Sequence, residues 1–307
     1  MQITIIGTGG VGGYFGGRLA QAGNNVTFIA RGEHLKAIQE KGLVVRSIKG
    51  DFTVTNTEAT DSIALAKPAD LVLICVKAWQ VKDVAKQLAS TLKPDTIVLP
   101  LQNGVLAADE LAEFIPKQHI VKGLCRIFSL IEAPGIINHV AVEPTIIFGE
   151  VDNTSTPRIL QLSNAFTYAG ITSKVAKDID ADLWKKFISI CVSAQLALTR
   201  STYGELRELP LARNMMISLI EEIYRLSQKI GINIEPDFPQ KAMAFIDTFP
   251  HSTTSSLTRD VWEGKPSEIE YQNGTVVKLA EKFGIETPIN RFLYECILPM
   301  ELKARKQ

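Results

Sequence analysis

The sequence predicts an α/β fold in which a doubly wound, parallel-sheet domain precedes an all-helical domain. Strands and helices alternate through the first half, and a glycine-rich turn joins the first strand to the first helix. After about residue 177 the pattern becomes entirely helical. Because 307 residues are too many for most single cores, we predict one domain over residues 1–177 and a second over 178–307.

The composition fits a soluble enzyme. The 33 basic and 33 acidic residues balance, so no basic field is present to hold nucleic acid or an anionic membrane. The longest apolar stretch, near Phe187–Thr199, is too short to span a bilayer. No basic segment precedes the N-terminal apolar run, so no signal peptide is expected. Four widely spaced cysteines without a C-x-x-C pair favour a reducing cytoplasm over disulfides or a metal site.

The first twenty residues carry the strongest signal. An apolar strand, Gln2–Ile6, runs into Gly7, Gly9 and Gly12 in the spacing G-x-G-x-x-G, and a helix is predicted over Tyr14–Ala22. The first glycine allows a tight turn, the second lets a pyrophosphate approach the backbone, and the third lets the helix pack against the strand. This context predicts a dinucleotide-binding domain of the Rossmann type, with the phosphates at the helix start. The alternative is a glycine-rich structural turn without a cofactor.

The second strand, Asn25–Ala30, ends at a residue that bears on cofactor choice. NAD sites usually place an acidic residue here for the ribose 2′-hydroxyl, whereas this strand ends at Arg31. A guanidinium at this point favours the 2′-phosphate of NADP. The alternative is a solvated surface arginine, and the nearby Glu33 weakens the distinction.

Two polar residues follow later strands of the first domain. Lys77 comes after the strand at 70–76, and Asn103 comes after the strand at 96–101. Ligands bind at the carboxyl ends of parallel strands, so both are candidate contacts for cofactor or substrate. Asn103-Gly104 is alternatively a plain turn. The other elements predicted in this half are helices at 32–42, 81–92 and 156–169, a hairpin of 43–48 with 52–55, and strands at 123–131, 136–140, 145–148 and 171–175.

The helical half contains two candidate catalytic residues. Lys186 lies near the start of an apolar helix predicted over 180–199, on a face shared with residues 190, 193 and 194, and we expect this face to point into a cleft between the domains. A partly desolvated lysine can act as an acid near neutral pH, although most helical lysines are solvated. Glu268, which follows Pro266-Ser267, is the second candidate. The alternative is that its carboxylate only stabilises the N-terminus of a helix. Further helices are predicted at 211–229, 238–248, 268–283 and 288–303, the last bent at Pro299.

Six stretches, taken together, resemble the ketopantoate reductase family (2-dehydropantoate 2-reductases) over nearly the full length. They are GTGGVGG from Gly7, VKAWQ from Val76, LQNGV from Leu101, LWKKF from Leu183, SSLTRD from Ser255 and SEIEYQNG from Ser267. The resemblance implies NADPH-dependent reduction of a 2-oxo acid to a 2-hydroxy acid, in the pathway to pantothenate and coenzyme A. It further implies that Arg31 and Lys77 contact NADPH and that Asn103 contacts both cofactor and substrate.

The resemblance also assigns the chemistry of the helical half. It implies that Lys186 is the general acid, that Ser256 holds the substrate carboxylate, and that Glu268 hydrogen-bonds the substrate hydroxyl and the lysine. This chain departs from the family in the lysine helix, where two asparagines that usually contact substrate are replaced by Ile190 and Ala194. A more apolar pocket, suited to a 2-oxo acid with a bulkier apolar side chain, is therefore expected.

Two other functions stay open at this stage. One is a 3-hydroxy acid or polyol dehydrogenase with the same two-domain plan. The other is an NADP-binding sensor that has lost its chemistry; Ile190 and Ala194 are its support, while Lys186, Ser256 and Glu268 speak against it. The expected partner is a small 2-oxo acid, with no nucleic acid or membrane, and the protein is expected to be a monomer or a homodimer.

Overall fold

The computed structural model describes residues 1–306 and divides the chain into two compact units. The first contains Met1–Gln102 and Leu106–Ile179, and the second contains Asn103–Val105 and the chain from Asp180 onward. The short segment from Asn103 thus packs with residues that lie far along the sequence. Within residues 1–306, no helix has the length and apolar character needed to cross a membrane.

A five-stranded parallel sheet organises the first unit and confirms the predicted fold class. Its strands are β1 (Gln2–Ile6), β2 (Asn25–Ile29), β5 (Glu58–Thr60), β6 (Leu71–Ile74) and β7 (Ile97–Pro100), and the helices of this unit are α1 (Gly10–Gln21), α2 (Gly32–Lys41), α3 (Val81–Leu88), α4 (Ala107–Ala112) and α5 (Pro157–Tyr168). The strand order is β5-β2-β1-β6-β7, with every pair parallel. The central strands are almost fully buried, which explains their continuous apolar sequence.

The remaining strands form a second, mixed sheet. They are β3 (Leu43–Ser47), β4 (Phe52–Val54), β8 (Val121–Ala133), β9 (Ile136–Glu150) and β10 (Thr172–Val175). The predicted hairpin is confirmed, because β3 and β4 pair antiparallel. The strands predicted separately at 136–140 and 145–148 are one strand, since β9 pairs with β8 on both sides of a kink where Val142 has φ of 70°.

The second unit is helical, as predicted. Its helices are α6 (Ile179–Ile190), α7 (Ser193–Thr199), α8 (Tyr203–Glu208), α9 (Pro210–Ile230), α10 (Phe238–Asp247), α11 (Ser256–Trp262), α12 (Asn273–Phe283) and α13 (Pro288–Ala304). They bury one large apolar core that includes Phe187, Leu219 and Leu293.

Four details of the helical prediction are wrong, and the first is that α8 (Tyr203–Glu208) is absent from it. The single helix expected over 180–199 is two helices, because α6 ends at Ile190 and α7 begins only at Ser193. The helix α11 is absent from the prediction, although the Ser255 hydroxyl caps it by accepting the Thr258 N–H at 3.0 Å. The helix expected from Glu268 begins only at Asn273, after a short 3₁₀ turn at Ile269–Tyr271.

Candidate active site

The glycine turn after β1 has the backbone geometry that its sequence predicts. Gly7 has φ of +94°, which only glycine adopts readily, and a Cβ there would lie 2.7 Å from the Val76 nitrogen. The amides of Gly7 and Thr8 both donate to the Ile29 carbonyl, at 3.2 and 3.1 Å. The turn is therefore fixed between the carboxyl ends of β1, β2 and β6.

The other two motif glycines differ in the space around them. A Cβ on Gly12 would lie 2.9 Å from Cγ2 of Ile5 and 3.0 Å from Cβ of Cys75, so the close packing of α1 requires glycine here. A Cβ on Gly9 would meet no described atom within 4 Å. Gly9 precedes α1, whose first turn contains no acidic residue. Open space before uncompensated helix N–H groups is the arrangement that a phosphate requires.

His34 closes the turn from the other side. Its Nε2 lies 2.8 Å from the Thr8 carbonyl, and its Nδ1 accepts the Gly135 N–H at 3.0 Å. Only the neutral imidazole can donate from one nitrogen and accept at the other. Burial lowers the pKa of His34, against the raising effect of its bond to Thr8. Local sequence patterns do not predict this contact, because the partners lie far apart along the chain.

Arg31 and Lys77 lie at the same edge of the parallel sheet as the glycine turn. Arg31 is exposed immediately before α2, and within residues 1–306 its side chain has no ion pair. Lys77 is half-buried, with Nζ 5.9 Å from the centre of the Trp79 ring. Gln102, which sequence reasoning missed, fixes the segment before Lys77 by donating to the carbonyls of Ile74 and Val76, at 2.9 and 3.0 Å.

Two of the candidate residues meet in the second unit. Nδ2 of Asn103 donates to Oε2 of Glu268 at 3.2 Å, although 165 residues separate them. Glu268 is only 6% exposed, and its carbonyl accepts the amides of Tyr271 and Gln272, each at 3.0 Å. Asn103 is thus neither a plain turn residue nor part of the first unit.

The adjacent lysines of α6 have different surroundings. Lys185 pairs with Glu235, and its Nζ lies 5.8 Å from the centre of the Phe238 ring. Lys186 is half-buried on the neighbouring part of the helix. Lys185 is therefore engaged in an ion pair within the second unit. Ser256 is exposed at the first position of α11, in the same unit.

We predicted that Lys186 shares one helix face with residues 190, 193 and 194. This prediction is wrong for residues 193 and 194. Because α6 ends at Ile190, Ala194 turns into the core and has no exposed surface, whereas Ile190 stays half-buried. Ser193 is 1% exposed and donates its hydroxyl to the Ile190 carbonyl at 2.6 Å. The Ser189 hydroxyl donates to the Lys185 carbonyl at 3.0 Å. Ser193 also donates to Oε1 of Gln272 at 3.2 Å, so both serine hydroxyls have partners within the second unit.

The parallel sheet and its glycine turn define a dinucleotide-binding α/β protein with a helical second unit. The models of two family domains match the chain: "Ketopantoate reductase PanE/ApbA" over residues 3–153 and "Ketopantoate reductase PanE/ApbA C terminal" over residues 178–301. The chain belongs to the ketopantoate reductase family of NAD(P)-dependent oxidoreductases.

Individual relatives extend over nearly the whole chain. The 2-dehydropantoate 2-reductase of Pyrococcus abyssi is 31% identical over 97% of this chain and 97% of its own length. A crystal structure of a PanE/ApbA family ketopantoate reductase from Ralstonia eutropha JMP134 is 30% identical, with a TM-score of 0.92 over 99% of this chain and 100% of that one. A structure of D-mandelate dehydrogenase with NADH and anilino(oxo)acetate shares the fold, with a TM-score of 0.91 at 22% identity, over 99% of this chain and 100% of that one.

Proposed function

We propose that this protein reduces a 2-oxo acid, 2-dehydropantoate (ketopantoate) or a relative of it, to the 2-hydroxy acid with NADPH. The observation that carries the proposal is the hydrogen bond between Asn103 and Glu268, because it joins two of the motifs that the family resemblance marks as functional. Lys186 and Ser256 belong to the same compact unit. The names of the full-length relatives support the same reaction.

The cofactor preference rests on Arg31. The open space at Gly9 and the N–H groups of α1 fit a pyrophosphate, so the first unit supplies the dinucleotide site of the proposal. The same fold holds NADH in D-mandelate dehydrogenase, so the fold alone does not select the phosphate. An exposed guanidinium after β2 is suited to a bidentate contact with a 2′-phosphate, whereas no carboxylate ends that strand to receive a 2′-hydroxyl. Lys77 adds a second cation at this edge.

The mechanism assigns one task to each side chain. The glycine turn and Arg31 would hold the cofactor, which when bound would supply a hydride for C2 of the substrate. Lys186 Nζ donates a proton to the carbonyl oxygen, where negative charge grows as the C–O double bond is lost, and such positioned donors contribute several kcal/mol to catalysis. Glu268 orients the lysine and the substrate oxygen while Asn103 holds the glutamate carboxylate, and Ser256 binds the substrate carboxylate.

The substrate side chain is the finer part of the proposal. Ile190 follows Lys186 by one helical turn and is half-buried and apolar. We therefore expect the pocket to favour an apolar group on C3 of the 2-oxo acid over a hydroxylated one, since an unpaired buried hydroxyl is costly.

The direct test replaces each adjacent lysine in turn. In Lys186→Ala, kcat for a 2-oxo acid should fall about 100- to 10,000-fold, the usual contribution of a general acid. Lys185→Ala is the matched control, because it removes the same charge one position away and should keep kcat. Comparable rates for wild type and Lys186→Ala would remove the lysine from the mechanism.

A further inference from the structure

A buried carboxylate near the end of the chain holds the residue that precedes Glu268. Glu301 in α13 is 2% exposed, and its Oε2 accepts both the backbone N–H and the side-chain O–H of Ser267, each at 2.7 Å. Ser267 has no exposed surface. The proposed mechanism gives Glu301 no chemical task, yet an ionised carboxylate is costly to bury unless it is paired.

The pairing comes from Arg305, the residue that directly follows α13. Nε of Arg305 lies 2.6 Å from Oε1 of Glu301, and its Nη2 donates to the Ser267 carbonyl at 3.4 Å. The backbone donor, the backbone acceptor and the hydroxyl of Ser267 are therefore all bound by two side chains, Glu301 of α13 and Arg305 just after it. Three hydrogen bonds to one residue leave the backbone at this position little freedom.

That constraint falls directly on Glu268. Its backbone is attached to the fixed Ser267 on one side and accepts the amides of Tyr271 and Gln272 on the other. Its carboxylate is held by Asn103. We propose that Glu301, paired with Arg305, is a positioning residue that sets the location of the Glu268 carboxylate for the reaction. This inference rests on the proposed function, in which Glu268 contacts the substrate.

The expected consequence is a loss of turnover without a loss of cofactor binding. Small displacements of a catalytic group can cost up to about a hundredfold in rate. In Glu301→Gln, which loses the charge opposite Arg305, kcat should fall about tenfold to a hundredfold, while the Kd for NADPH stays within about twofold of wild type. Ser267→Ala, which removes only the hydroxyl, is the milder variant and should lower kcat by about threefold to tenfold. It keeps the test decisive if Glu301→Gln does not fold.

The opposite end of α13 offers a matched control. Glu222 is also 2% exposed, and its carboxylate accepts the backbone amides of Ile289 and Asn290 at 2.9 and 3.0 Å. Glu222→Gln therefore removes a buried charge of the same kind at a point that does not adjoin Glu268. It should lower the melting temperature, as Glu301→Gln does, but leave kcat within about twofold of wild type.

A double-mutant cycle with Glu268→Gln decides between positioning and general stability. If Glu301 acts through Glu268, Glu301→Gln should lower kcat in the wild-type background and have little further effect in Glu268→Gln. Equal losses in both backgrounds, or a lowered melting temperature with unchanged kcat, would overturn the inference. A failure of the proposed function itself gives a different result. In that case the wild type would reduce no 2-oxo acid, or Glu268→Gln alone would leave kcat unchanged.

Discussion

Replacing Gly9 by alanine should separate cofactor binding from folding. Gly9 has φ of −83° and ψ of −160°, which alanine tolerates, and no described atom lies within 4 Å of an added Cβ. The free energy of unfolding should therefore stay the same or rise by about 0.4–1 kcal/mol, because the unfolded chain loses freedom. The methyl group would, however, occupy the space through which a pyrophosphate approaches the amides of α1.

Loss of one charge-assisted hydrogen bond costs about 1.5–3 kcal/mol, which corresponds to a roughly tenfold to hundredfold weaker Kd for NADPH. Fluorescence titration gives the Kd, and thermal unfolding gives the stability. Gly12→Ala is the contrasting variant, because its Cβ would be 2.9 Å from Cγ2 of Ile5 and should destabilise the fold by about 1–3 kcal/mol. A Gly9→Ala variant that binds NADPH as tightly as wild type would refute the assignment of the phosphate site.

Three further predictions concern other parts of the site. Arg31→Gln should reduce the ratio of NADPH to NADH affinity about tenfold, measured by paired titrations, and an unchanged ratio would dismiss Arg31 as the 2′-phosphate contact. Lys77→Met should weaken NADPH and NADH binding by similar factors if the lysine contacts a part of the cofactor that both share. Unchanged affinity for both cofactors would exclude Lys77 from the cofactor site. Burial lowers the pKa of His34, so the unfolded state binds the proton more tightly than the folded state does. The stability contributed by neutral His34 is therefore complete above the pKa of the unfolded state. It is lost as the pH falls through that value towards the pKa of the folded state. The free energy of unfolding should therefore fall between pH 7 and 5, with a contribution from this residue of no more than about 1.4 kcal/mol per pH unit. Thermal unfolding at several pH values measures this, and a pH dependence that is unaltered in His34→Gln would contradict the assignment.

Local sequence patterns predicted many secondary-structure elements of the first unit correctly. The β-branched run before Gly7 forms β1, and the Lys49-Gly50-Asp51 turn joins an antiparallel hairpin. The signals were local: alternation, turn residues and glycine spacing act over a few neighbouring positions. The division of the strands between two sheets was not predictable in this way, because it depends on pairings such as β3 with β9, which are about ninety residues apart.

The errors in the helical unit have the same origin. Periodicity alone continues the helix through Cys191, but the Cys191 carbonyl accepts a hydrogen bond from the Asn273 side chain at 3.2 Å, and the Ser193 carbonyl accepts one from the Thr258 hydroxyl. These partners come from segments that follow much later in the sequence. Once the helix breaks, the register that placed Ala194 on the lysine face no longer applies.

The candidate site shows both the strength and the limit of the motifs. They pointed to Asn103 and Glu268 as functional, and the structure brings the two together. They did not indicate Gln102 or Glu301. Each of these side chains binds the backbone of a segment that is far away in the sequence, and no recognisable spacing marks such a contact. Buried polar side chains that bind distant backbone groups are visible only in three dimensions.

The central claim is tested most directly by NADPH consumption with a panel of 2-oxo acids. Purified protein is assayed with ketopantoate and with several 2-oxo acids that have bulkier apolar side chains, beside an NADH control and the Lys186→Ala variant. We expect NADPH-dependent reduction of a 2-oxo acid, with the apolar acids preferred because of Ile190, and loss of turnover in the variant. NADPH binding without reduction of any acid in the panel would contradict the proposed activity.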